Sequence, residues 1–185
     1  MRFNFLIFIV ISSLFFGCGN QNKAKETDNV LSGNILTDEA KLDMLKTEAS
    51  RLRGGGSIKN VELNGGKATI IYVSNYKEYK EINPQSSLTE VELNGYWETE
   101  DSIQKALNDG SVRIMRKLDF ISEVNIILPF NENIYEISVN RLELERFVGK
   151  DFKTIEENWD TLFSNPYVYD KNGRQVFFEK FGAKK

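Results

Sequence analysis

Two stretches of this sequence fold back on themselves in the pattern of a β-hairpin. In the first, Val61 and Leu63 alternate with Glu62. Asn64-Gly65-Gly66 then supplies a turn that tolerates φ > 0, and residues 68–73 return as a β-branched run apolar on both faces. In the second, Val124, Ile126, Leu128 and Phe130 alternate, Asn131-Glu132-Asn133 turns, and Tyr135, Ile137 and Val139 alternate again. A side-chain period of two puts each alternating set on one face of a sheet. That face must be buried against a second layer.

Helical spacing supplies the layer. Leu42, Leu45, Ala49 and Leu52 share one face of a helix predicted over 38–52, and Gly54, Gly55 and Gly56 stop it. A second helix is predicted over 100–119. Thr99 caps it, Glu100 and Asp101 suit its positive end, and Arg113, Arg116 and Lys117 suit its negative end. Its apolar stripe is Ile103, Leu107, Ile114 and Leu118. Gly110, in the middle, costs about 1 kcal/mol relative to alanine and reads as room for a neighbouring backbone. Asn140 with Glu143 forms a capping-box pattern that opens a short helix ending at Gly149. Phe152, Ile155, Trp159, Leu162 and Phe163 make the next apolar face. Asn165-Pro166 reads as a break, and Phe177, Phe178 and Phe181 belong to a last helix. The order predicts a single α+β domain over 35–185, with a mostly antiparallel sheet of about four strands and helices packed on it.

Two segments resist this pattern. Residues 74–90 are polar and read as irregular. Val91-Glu-Leu-Asn-Gly95 repeats Val61-Glu-Leu-Asn-Gly65 letter for letter, which predicts a second strand followed by a turn. A solenoid needs about three copies, and the repeat does not recur.

The N-terminus carries an address. Arg2 precedes an apolar core over 5–16, interrupted only by Ser12 and Ser13, and Gly17-Cys18 closes it. A spanning helix needs roughly 20 apolar residues, whereas this length suits a secretory h-region. Leu14, Phe15, Gly17 and Cys18 together resemble a relaxed lipobox, the cleavage site of bacterial lipoprotein signal peptides. The resemblance covers residues 1–18 alone. It implies a signal peptide over 1–17, cleavage before Cys18 and lipid on the Cys18 thiol, so that the membrane is a partner through the anchor. Gly19 in place of aspartate allows an outer-membrane destination where the organism has one. Otherwise the expected place is the outer face of the cell membrane. Cys18 is the sole cysteine, so no intrachain disulfide forms. Residues 19–34 are polar and mixed in charge, and read as a disordered tether.

Chemistry is sparse beyond that point. There is no histidine, which removes the commonest general base and the commonest zinc ligand. No serine–lysine motif, Gly-x-Gly-x-x-Gly or Walker loop is present, and Gly54-Gly55-Gly56 follows a helix rather than joining a strand to one. Glu98, Glu100 and Asp101 cluster beside Trp97 as a glycosidase pair would, but the helix dipole explains acids at a helix start more simply. Asp170, Asn172, Gly173 and Glu179 match four positions of an EF-hand loop. Val168 at the first position has no side-chain oxygen, so a capped turn is the reading and no metal is expected. Lysine and arginine total 24 against 27 acids, a net charge of −3, which leaves no excess to neutralise phosphates and argues against nucleic acid. Tyr76, Tyr79, Tyr96 and Trp97 remain as candidate binding residues, because such rings bury area while keeping a polar handle.

These observations favour a lipid-anchored envelope protein that binds or scaffolds without catalysis or cofactor, facing an envelope protein or cell-wall partner. The rival expectations are an envelope enzyme using carboxylate or lysine chemistry and a subunit of an envelope complex.

Overall fold

The computed structural model describes residues 36–185, so the signal peptide over 1–17, Cys18 and the tether lie outside the described residues. Leu36–Lys185 forms one compact unit. The chain runs α1 (Asp38–Ala49), a 3-10 turn (Gly55–Ser57), β1 (Ile58–Asn64), β2 (Lys67–Tyr72), α2 (Tyr76–Ile82), α3 (Glu90–Gly95) and α4 (Glu100–Lys117). It continues through β3 (Glu123–Phe130), β4 (Asn133–Asn140), α5 (Arg141–Val148), α6 (Phe152–Glu157), a π-helix (Asp160–Tyr169), α7 (Lys171–Phe181) and β5 (Gly182–Lys184).

The architecture is α+β, with one five-stranded sheet in the order β1-β2-β3-β4-β5. Three neighbouring pairs are antiparallel, as expected. The central pair, β2 with β3, is parallel, with Ala68 opposite Val124 and Ile70 opposite Ile126. The parallel pair follows from the connection. The chain leaves β2, crosses through α2, α3 and α4, and re-enters at the same end of the sheet. The fifth strand is an addition to the expected four. Three residues after α7 pair with β4, with Gly182 opposite Ile137.

Both hairpins close on two-residue turns. Gly65 (φ 54°) and Gly66 (φ 83°) join β1 to β2, and Asn131 (φ 48°) and Glu132 (φ 62°) join β3 to β4. Left-handed conformation at both central positions matches the strand twist. Ala68, Ile70, Tyr72, Val124, Ile126, Leu128, Tyr135, Ile137 and Val139 are buried beneath the helices. The opposite face carries Glu62, Thr69, Asn125, Glu136 and Ser138, all partly or fully exposed. In α4, Gly110 is explained by side chains rather than backbone. A Cβ there would lie 3.3 Å from Ile126 Cδ1 and 3.5 Å from Leu52 Cδ1.

Three local expectations are corrected. The polar stretch over 74–90 contains a helix, α2, capped by Asn75, whose side chain accepts from Glu78 N–H at 3.0 Å. The second Val-Glu-Leu-Asn-Gly is helical in α3 while the first is a strand in β1. The difference lies upstream. Thr89 and Glu92 form a reciprocal capping box: Thr89 Oγ1 accepts from Glu92 N–H at 3.3 Å, and Glu92 Oε2 accepts from Thr89 N–H at 2.8 Å. The copy at 61–65 has Lys59 where Thr89 stands, so no side chain caps it, and its Gly65 enters a left-handed turn that lets Lys67 return beside it. Asn165-Pro166 is no break. The chain passes through it as a π-helix, in which Asp170 N–H donates to Asn165 O at 2.8 Å. Proline has no N–H to give, and its ring crowds the carbonyl four residues back. The wider turn relieves that crowding.

Candidate functional site

The residues between β2 and α4 form a satellite with its own small core. Val73, Tyr79 and Leu93 are buried together, and Tyr76 and Leu88 pack against them. Directional bonds fasten this satellite to the turn after α1 and to the start of β1. Asn83 Nδ2 donates to Gly56 O at 2.8 Å, the Arg53 guanidinium donates to Tyr96 O at 3.0 and 3.2 Å, and Lys59 pairs with Glu78 at 3.0 Å. The Lys80 ammonium donates to Ser86 O at 2.8 Å and so folds the α2–α3 loop onto α2.

A cleft of about 470 Å³ opens between the satellite and the glycine turn. One wall is backbone: Gly54, Gly55, Gly56 and Ser57. The other is Tyr79, Ser86, Ser87, Leu88, Glu92, Leu93 and Tyr96, and Leu52 also lines the cleft. This size falls in the range of small-molecule sites, about 300–1,000 Å³.

The glycine turn is shaped from below. Gly54 is left-handed (φ 65°), and a Cβ there would come within 2.6 Å of the Trp97 ring. At Gly55 a Cβ would lie 2.2 Å from Ser50 O. Trp97, 5% exposed, meets Tyr72 edge-on at 5.4 Å between ring centroids. The Tyr72 hydroxyl donates to Arg53 O at 2.9 Å, and burial pushes its ionisation well above the ordinary tyrosine range. Trp97 thus supports the cleft wall from inside.

The four aromatic candidates divide accordingly. Tyr79 and Tyr96 line the cleft, although Tyr79 is only 6% exposed and Tyr96 is 38% exposed. Tyr76 stacks on Tyr79 at 6.1 Å and donates its hydroxyl to Leu88 O at 3.0 Å. Trp97 lies in the core beneath. The reading of Tyr76 and Tyr79 as loop residues is therefore replaced: both sit on α2.

Two carboxylates hold the satellite's backbone. Glu78 accepts from Ser74 N–H at 2.8 Å, and this bond, followed by the one from Lys59, draws its pKa below the ordinary range. Glu92 is lowered as well, first by the Thr89 backbone N–H and then by the Thr89 hydroxyl. The other acids serve elsewhere. Asp101 pairs with the Arg174 guanidinium at 3.2 Å, and Glu100 with Lys184 at 3.4 Å. Glu98, Glu100 and Asp101 are not among the cleft residues.

Asp170 caps α7, accepting from Gly173 N–H at 2.7 Å. Gly173 is glycine because a Cβ would fall 1.9 Å from Pro166 O. Among the described residues no group of three or more cysteines, aspartates or glutamates is placed to hold a metal ion, and no helix is long and apolar enough to cross a membrane.

Sequence reasoning missed Ser86, Ser87 and Leu88, which lay in a stretch read as irregular. It also missed the buried pair Asn108 and Arg174. Asn108 Nδ2 donates to Tyr167 O and to Arg174 O, both at 3.0 Å, and Arg174 donates to Val168 O at 2.9 Å. The available signal for α3 was Thr89, two residues before one copy of the pentapeptide, which completes a capping box with Glu92 where the other copy has Lys59. Comparison with family models, with curated proteins and with solved structures finds no match to the chain.

Proposed function

We propose that this chain is a lipid-anchored bacterial envelope protein whose domain binds a partner or ligand without catalysing its conversion. Gly17-Cys18, at the end of a short apolar core, is the observation that carries the anchor. The binding half is supported by the cleft. It has a backbone wall propped by a buried tryptophan, facing a wall of hydroxyls and one exposed ring. Of the acids that an enzyme reading would recruit, Asp101 and Glu100 are engaged with Arg174 and Lys184, and Glu98 is not among the cleft residues.

Labelling growing cells with an alkyne palmitate analogue tests the anchor. Label is expected on the wild type and lost in Cys18→Ser, and equal label in both rejects it. Photo-crosslinking from position 87 in solubilised envelope tests the cleft. The adduct is expected to weaken in Tyr96→Ala. Adducts of unchanged yield remove the cleft from the reading.

A further inference from the structure

We infer that the cleft between the glycine turn and the α2–α3 segment takes a neutral, hydroxyl-rich ligand, a short saccharide. The inference rests on the binding role proposed above and names the chemistry of its occupant.

Charge decides the class first. No lysine or arginine is among the cleft residues, and the one ionisable acid, Glu92, spends Oε2 on the backbone N–H and hydroxyl of Thr89, both at 2.8 Å. The cations beside the cleft, Lys80 and Arg53, already donate to the Ser86 and Tyr96 carbonyls, so a phosphate or carboxylate ligand would find no cation in the lining and one carboxylate to repel it. A cationic ligand would have to compete for a carboxylate already committed to a helix cap.

Unspent hydrogen-bonding capacity decides it further. Tyr79 Oη and Ser86 Oγ lie 2.7 Å apart, and Ser86 Oγ also accepts from Leu88 N–H at 3.2 Å. Two hydroxyls share one bond, so whichever donates, the other keeps its hydrogen for something else. Ser87 and Tyr96 add hydroxyls that no described residue engages. The Tyr96 ring, 38% exposed, offers a flat apolar surface beside them. Neutral donors and acceptors around an exposed ring match a pyranose, which has hydroxyls on its rim and C–H groups on its face.

Gly56 leaves the backbone wall bare. Gly54 and Gly55 are required by Trp97 and by Ser50 O, but a Cβ at Gly56 would meet nothing within 4 Å, and its φ is not left-handed. A ligand can therefore lie directly against the backbone at this position, where a larger side chain would stand in its way.

The test uses the full chain in a zwitterionic detergent that carries no sugar headgroup. Triacetylchitotriose, maltotriose and inorganic phosphate are titrated by calorimetry. At least one trisaccharide is expected to bind saturably and phosphate not at all. Gly56→Leu and Tyr96→Ala are each expected to weaken binding about tenfold or more, with thermal midpoints within about a degree of wild type. Phosphate binding, no binding of either trisaccharide, or full affinity in Gly56→Leu overturns the inference. Where saccharides fail yet the crosslinked adduct still depends on Tyr96, the saccharide falls and the binding role stands. Where the adduct is also indifferent to Tyr96, the role of the cleft falls with it.

Discussion

Trp97 and Glu132 show how little a residue's type says about its work. Trp97 sits just before a helix, among acids, where a surface anchor would be expected. It is instead the floor under Gly54 and the partner of Tyr72. Trp97→Ala is therefore expected to cost about 3–5 kcal/mol, read as a drop in the urea midpoint. A midpoint unchanged from wild type would place the ring at the surface. Glu132 holds φ 62° in the β3–β4 turn. A left-handed L-residue costs roughly 1–2 kcal/mol, and the entropy a glycine loses returns part of that. Glu132→Gly is expected to raise stability by about 0.5–1 kcal/mol, measured by the same denaturation. A loss would mean the Glu132 side chain contributes more than its strain takes away.

Helix α3 is made by its cap, since the same Val-Glu-Leu-Asn is equally at home in β1. That dependence makes the satellite sensitive to acid. Glu78 and Glu92 have pKa values lowered from 4.5 by bonds made only in the folded chain. A lowered folded value means the stabilisation is complete above the unfolded value and drains as pH falls through the folded one. The satellite is thus expected to loosen below about pH 4, before the sheet does. Protection factors at Ser74 and Thr89, taken relative to the slower intrinsic exchange in acid, should fall on acidification while Ile126 and Ile137 stay protected. Simultaneous loss of protection everywhere would show that the satellite has no separate stability. Thr89→Ala should bring the loosening to neutral pH, because losing such a cap costs about 1 kcal/mol. The π-helix is likewise a local solution, at a proline, that keeps the chain helical between Trp159 and Asp170.

Across the molecule, Asn108 and Arg174 tie α4, the π-helix and α7 into one unit. Asn108 is fully buried, and Asn108→Ala leaves the Tyr167 and Arg174 carbonyls without their donor. A loss of about 1–3 kcal/mol is expected on urea denaturation. A neutral result would mean the two carbonyls find other donors. Local sequence was enough for the two hairpins, the start of α4, the caps at Thr99, Asn140 and Asp170 and the apolar faces. All of these depend on period, turn chemistry and dipole within a few residues of one another. Long-range packing decided that β2 and β3 run parallel and that Arg174 is buried. It also decided that Tyr79, Ser86 and Tyr96 line one cleft with a glycine turn far upstream in the chain. Each of these turns on contacts between segments far apart in the chain. Local propensity leaves such contacts open, because a short segment's preference is worth only about a kilocalorie and burial against a distant partner outweighs it.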